Sequence, residues 1–154
     1  MSNFLLETVK IVSALPPIAD RFNTGPDTTP LKLKDFAKVL FILQQGAGGT
    51  GASTIIAKAA SDASKTGATA IPFKYVTLNA DAVSAFQAGT TAGISTVAGA
   101  NSVTAIEIDV RDCPDGKNWV FLDLTESVDS PVDAGIVAIL HSPRYQGNPT
   151  TVLS

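Results

Sequence analysis

The chain has one cysteine, one histidine and one methionine among 154 residues, and only 16% of its residues are charged. A single thiol, Cys113, excludes an internal disulfide. Within Arg111–Asp112–Cys113–Pro114–Asp115–Gly116 no second thiol or histidine stands at metal-ligand spacing, so no metal or other cofactor is expected. Cys113 reads as a small residue beside a turn, and a chain without a disulfide framework suits assembly inside a cell. The eleven basic residues are scattered, Lys32 and Lys34 forming one small pair, and the net charge is −3. Phosphate backbones need clustered Lys and Arg, so direct binding to nucleic acid is not expected.

No apolar run approaches the roughly 20 residues of a membrane span, so no membrane partner is expected. The stretch Met1–Ser2–Asn3–Phe4–Leu5–Leu6–Glu7–Thr8–Val9–Lys10 has no basic leader, and Glu7 and Lys10 interrupt it, so it is not expected to act as a secretory signal. Long amphipathic helical periodicity is also missing, which excludes a helix bundle. A surface this poor in charge leaves weakly polar area open to water. Burying part of it against other copies is the simplest remedy, so a homo-oligomer is expected.

What the chain does have is strand-length apolar runs between turn residues. Val39–Leu43, Ala105–Val110, Trp119–Leu124 and Ala134–Leu140 are rich in branched and aromatic side chains. About eight strands are expected, near 31–34, 37–45, 53–60, 71–78, 93–98, 102–110, 118–126 and 134–141. Their spacing predicts an all-β fold, an antiparallel β-sandwich or jelly roll. Thr104, Ile106, Ile108 and Val110 fall on one face of their strand, and Val120, Leu122 and Leu124 on one face of theirs, as a sheet with one side on a core requires. Pro114–Asp115–Gly116 is a turn signal that predicts a hairpin joining 102–110 to 118–126. Asp81–Gln87 reads as a short helical turn capped by Asn79 or Asp81.

Three units follow: an extended N-terminal arm at 1–30, a β-sandwich domain at 31–145 and a C-terminal tail at 146–154. In the arm, Leu15–Pro16–Pro17–Ile18 blocks helix and central strand alike. Its apolar residues suit packing along a sandwich edge or onto a partner.

Gly46–Ala47–Gly48–Gly49–Thr50–Gly51 matches G-x-G-x-x-G and follows a strand, and Ala52–Ala60 can be drawn as its helix. A dinucleotide site would need a carboxylate about 20 residues further on, where Gly67–Phe73 has none. A phosphate-binding P-loop would need lysine where Ala52 stands. A glycine-rich hairpin loop is the better reading, with a nucleotide-binding enzyme as the alternative. His141 lies at a strand end, and neither an orienting carboxylate nor a nucleophile is legible around it. Glu126, Asp129 and Asp133 lack the spacing of a calcium loop and read as solvated turn carboxylates. Trp119, Tyr75 and Tyr145 are a thin supply of platforms for stacking sugars. No catalytic residue is assigned, and the chain is not expected to be an enzyme.

An N-terminal apolar arm precedes Lys38–Val39–Leu40–Phe41–Ile42–Leu43–Gln44–Gln45–Gly46–Ala47–Gly48 and Gly51–Ala52–Ser53–Thr54–Ile55. Ala70–Tyr75, Ile106–Asp109, Asp129–Pro131 and Ala138–Tyr145 follow in that order. This arrangement resembles jelly-roll capsid decoration (cement) proteins of tailed bacteriophages. The resemblance implies a structural virion protein on the head surface, assembled in the host cytoplasm. It implies the major capsid protein as partner and stabilisation of the expanded shell by bridging neighbouring capsid subunits. A tail or head–tail connector protein is the alternative location. The residues expected to touch the partner are Phe4, Leu5, Leu6, Val9, Ile11, Leu15, Ile18 and Phe22 in the arm, with Arg144 and Tyr145 at the tail. Each of the arm residues either grips a partner or completes the chain's own core.

Overall fold

The computed structural model describes residues 5–48, 50–79, 82–96 and 101–144. Two antiparallel sheets pack face to face. The strands are β1 (Lys10–Ile18), β2 (Leu31–Lys32), β3 (Phe36–Gly48), β4 (Ala52–Ala60), β5 (Thr69–Ala70) and β6 (Phe73–Asn79). They continue with β7 (Ala82–Val83), β8 (Gln87–Gly89), β9 (Ile94–Ser95), β10 (Ser102–Asp109), β11 (Trp119–Val128) and β12 (Val132–Pro143). The wider sheet runs β1-β12-β3-β10-β6-β7, with β8 also on β6, and the narrower runs β2-β11-β4-β5, with β9 on β4.

The pairing is nested. β1 pairs with β12, β2 with β11, β3 with β10 and β4 with β5. This is one long antiparallel hairpin rolled up on itself, and rolling then brings β12 beside β3 and β11 beside β4. That topology is a jelly roll. Strands β6 to β9 are inserted between β5 and β10, where most of them widen the larger sheet.

Alternation explains which side chains fill the sandwich. In β10 the residues Ser102, Thr104, Ile106 and Ile108 are buried while Val103, Ala105, Glu107 and Asp109 are not. Val39, Phe41, Leu43, Leu122, Leu124, Ile136 and Leu140 join them in one core. The arm contributes to that core: Ala14, Leu15 and Phe22 are buried in it. Thr28 locks the arm to the narrower sheet, donating its N–H to the Leu122 carbonyl and accepting the Leu122 N–H on Oγ1, both at 2.9 Å.

Three expectations are corrected. The Pro114–Asp115–Gly116 turn exists, with Gly116 at φ +77°, but it does not close a hairpin. β10 and β11 belong to different sheets, so the turn is an arch over the end of the sandwich. The glycine-rich segment is no hairpin either. It carries the chain from β3 in one sheet to β4 in the other, and Ala52–Ala60 is a strand. Residues 82–89 form β7 and β8, both paired to β6, where a helical turn was expected. Local helix preference yields there to the open edge of β6. Asp81, one of its two expected caps, lies outside the described residues, as does the end of the expected strand at 93–98.

Candidate functional site

The two outer faces of the sandwich differ. On the narrower sheet, Trp119 and Phe121 are outward aromatics, yet both are buried. Lys32 lies 5.4 Å from the Trp119 ring centroid and Lys65 4.9 Å from that of Phe121. Lys65 also pairs with Asp27 at 2.5 Å, and Lys58 pairs with its cross-strand neighbour's flank at Asp123. The ammonium groups of Lys32 and Lys65 thus lie over the aromatic rings, and Lys58 and Lys65 pair with carboxylates beside them.

Among the described residues, the wider sheet has no such cover over its middle. One cross-strand row reads Ser13–Val137–Ile42–Ala105–Val76, and the adjoining row Ile11–Ile139–Leu40. The next row on the other side reads Gly135–Gln44–Val103–Leu78–Val83. Side chains in register on adjacent antiparallel strands share a face, and these are the outward ones. Ile11, Val137, Leu78 and Val83 are exposed, Val83 by 66%. An apolar groove of about 510 Å³ opens at the β1 side of this face, between Pro17 and Ile18 of the arm and Ile42, Gly135 and Val137 of the sheet.

Charge enters at the far end of the Ile11–Leu40 row itself. Glu107 lies opposite both Leu40 and Lys74, and Lys38 stands between His141 and Asp109. Lys38 binds Glu107 at 2.7 Å, and this ion pair raises the lysine's pKa. Arg111 binds Asp109 at 2.7 Å and holds its carboxyl down at about 2. His141 lies between Ser142 Oγ, 3.0 Å from Nδ1, and Glu107 Oε2, 3.6 Å from Nε2. Serine, histidine and carboxylate are therefore neighbours, which sequence did not reveal, because β10 and β12 meet only through β3. Glu107 is held by Lys38 at less than its distance to the histidine, and 3.6 Å is too long for a hydrogen bond to orient the ring. The geometry is that of a charge ladder and not of an activated nucleophile.

The other candidates separate cleanly. The Gly46–Gly51 segment feeds a strand, so it offers no helix N-terminus to a phosphate. Glu126 keeps its proton more readily than usual because of burial first, and then the charges of Asp129 and Asp20. Asp133 packs instead beside Gly46. Among the described residues no group of three or more His, Cys, Asp and Glu is placed to hold a metal ion, and no helix is long and apolar enough to cross a membrane.

Of the expected contact residues, Leu15 and Phe22 are core residues of this chain, 7% and 1% exposed. Of the two expected roles, their burial fits completion of this chain's own core, because a partner cannot reach them without unpacking the sandwich. Leu5 and Leu6 are each 72% exposed in a short 3-10 turn, and Ile11 and Ile18 are exposed along β1. Val9 is half-buried and Arg144 exposed. β1 starts opposite Leu140 and β12 ends at Pro143, so Leu5, Leu6, Val9 and Arg144 belong to one end of the sheet edge. Phe4 and Tyr145 lie outside the described residues. The apolar rows of the wider sheet went unread because Ala134–Leu140 and Val39–Leu43 look like strands buried on both faces.

No protein-family model and no curated protein matches this chain. Its fold is similar to the crystal structure of the SPBc2 prophage-derived protein YomS, with a TM-score of 0.50 over 84% of this chain and 92% of that one. The two sequences are 15% identical over that match, a likeness of fold.

Proposed function

We propose that this chain is a structural virion protein of a tailed bacteriophage that binds the outer surface of the head and bridges neighbouring capsid subunits. The observation that carries the reading is the arm. Its inner residues, Ala14, Leu15 and Phe22, anchor it in the sandwich, while Leu5 and Leu6 at its start stay exposed. A side chain that stays in water gains nothing from folding; burying each one against a partner is favourable by about 1.5–3 kcal/mol. Several such contacts on two subunits at once make attachment multivalent. The likeness in fold to a prophage-derived protein supports a phage origin. A jelly roll whose arm is anchored at its core and exposed at its start suits a strut between subunits.

The experiment is quantitative mass spectrometry of purified particles of the encoding phage, paired with co-sedimentation of the purified chain and expanded heads. A copy number in simple ratio to the major capsid subunit, with binding weakened in a Leu5→Ser/Leu6→Ser variant, is expected. A few copies per particle would move the protein to the tail or connector. Absence from the particle overturns the virion reading.

A further inference from the structure

We infer that the outer face of the wider sheet is where two copies of this chain meet, about a two-fold axis lying along the strands. The inference stands apart from head binding, since it concerns the purified chain alone.

The first argument is solvation. A sandwich sheet normally turns polar side chains outward. The narrower sheet obeys, through its lysines, Asp123 and Asp27. The wider sheet instead presents Val137–Ile42–Ala105–Val76 as a continuous apolar row, flanked by Ile139–Leu40 and Val103–Leu78. Isolated exposed apolar residues need no explanation, but a contiguous face across five strands does.

The second argument is size. Five strands at about 4.8 Å spacing and three rows about 7 Å apart project roughly 500 Å². The accessible area of standing side chains exceeds the projection, so two such faces together bury more than about 1,000 Å², the threshold for a specific interface.

The third argument chooses the occupant. The face is complementary to itself. Its groove lies at the β1 edge, level with the Ile42 and Gln44 rows. Its exposed apolar residues at the opposite edge are Val83, on β7, and Phe86, in the connection between β7 and β8, the two strands that pair with the outer side of β6. Phe86 is 86% exposed. Val83 lies in the Gln44 row itself, opposite Leu78. A two-fold axis along the strands keeps each row level and exchanges the two edges. It therefore lays Val83 and Phe86 of each copy over the groove of the other, and both grooves are filled at once. The Ile42 and Gln44 rows carry no charge, and the Leu40 row ends in Glu107 beside Lys74, two charges of opposite sign. At the charged border, Glu107 is already neutralised by Lys38.

The test is sedimentation equilibrium of the purified full chain, with Val137→Glu and Phe86→Ser as variants and circular dichroism melts as the control for folding. The wild type is expected to dimerise. Each variant should weaken the dimer by about tenfold or more. Phe86 is nearly free in the monomer, so Phe86→Ser should melt like the wild type and keeps the test meaningful even where Val137→Glu lowers the melting temperature. A wild type that stays monomeric at the highest concentrations reached overturns the proposal. So does a Phe86→Ser chain that dimerises as well as the wild type. Neither result bears on the copy number in the virion.

Discussion

Gly51 packs its Cα directly against the Ser130 carbonyl oxygen, so that a Cβ at this position would overlap that oxygen and crowd Val132 Cγ2 at 2.5 Å. Both residues sit in segments that cross between the sheets. The β3–β4 connection and the β11–β12 connection run side by side over one end of the sandwich, since Gly48 pairs with Val132 and Ala52 with Val128. A glycine at this point lets the two crossings touch. Gly51→Ala should therefore destabilise the fold by about 1–3 kcal/mol, through backbone displacement and not through lost apolar burial. Urea unfolding monitored by Trp119 fluorescence checks this. Thr50→Ala, on the exposed neighbouring residue, should change stability little.

The arm should prove indispensable to folding. Phe22 is 1% exposed and Leu15 7%. Phe22→Ala should cost about 3–5 kcal/mol, the range for a buried aromatic truncated to alanine. Deleting residues 1–30 removes β1, Phe22 and the Thr28 clasp together, and should leave a chain that no longer unfolds in one sharp transition. A deletion that melts as sharply as the full chain would return the arm to the status of an appendage.

The Thr28–Leu122 pair predicts a smaller and more specific effect. Thr28→Val keeps the shape but strips the acceptor from the buried Leu122 N–H. The expected loss is about 1–3 kcal/mol, the cost of an unsatisfied buried donor. Hydrogen exchange should show the Leu122 amide exchanging faster, while amides in β3 keep their relative protection.

Asp109 gives a pH dependence with a definite sign. Its carboxyl is held at about 2 chiefly by hydrogen bonds from the Arg111 side chain, assisted by the Arg111 backbone N–H. A carboxyl depressed by folding stabilises the fold fully above its ordinary pKa, and that contribution is lost as pH falls toward about 2. Above pH 5 the pair should therefore be insensitive to pH. A carbon-detected titration of Asp109 should show its midpoint near 2. Arg111→Gln should raise that midpoint toward the ordinary carboxylate range, with little effect on the remainder of the sheet because Arg111 is largely exposed.

Cys113 should be a sluggish thiol. Burial, with help from Asp112 and Asp109, pushes its pKa up to about 11. At mildly alkaline pH its thiolate is scarcer than that of an ordinary thiol by about a hundredfold. An aromatic disulfide reagent should therefore modify it far more slowly in the folded chain than in denaturant. Equal rates would mean that the arch at Val110–Cys113 opens readily.

Much of this architecture is legible in the sequence, and the portion that is not has a physical cause. The long strands show because branched runs such as Ile106–Asp109 and Trp119–Leu124 alternate between turn residues. The inward face of β10 shows for the same reason. Sheet membership does not show: period-two alternation says which way a side chain points, never which of two sheets holds its strand. The turn at Pro114–Gly116 therefore passes for a hairpin when it is an arch. Ala82–Val83 and Gln87–Gly89 escape notice because their alanines and glutamine suit a helix, and only the unpaired edge of β6 recruits them. The candidate surface is hidden more deeply. Its rows assemble Val137, Ile42, Ala105 and Val76 from four segments, and their adjacency exists only once the hairpin has rolled up.

That rolling has a consequence for how the chain acquires its structure during synthesis. β1 precedes every other described strand, yet its strand neighbour among the described residues, β12, is the last of them, and β12 also fills the space between β1 and β3. Until β12 emerges, the arm has nothing to pair with and the central strand β3 keeps an open edge. Contacts this distant in sequence make folding slow, because the closing loop must form before any pairing rewards it. The chain should thus complete the pairing of β1, β12 and β3 only after β12 leaves the ribosome, in one late cooperative step. Until then Phe22 and the underside of β3 stand exposed, and that interval is when the newborn protein is most in need of a chaperone.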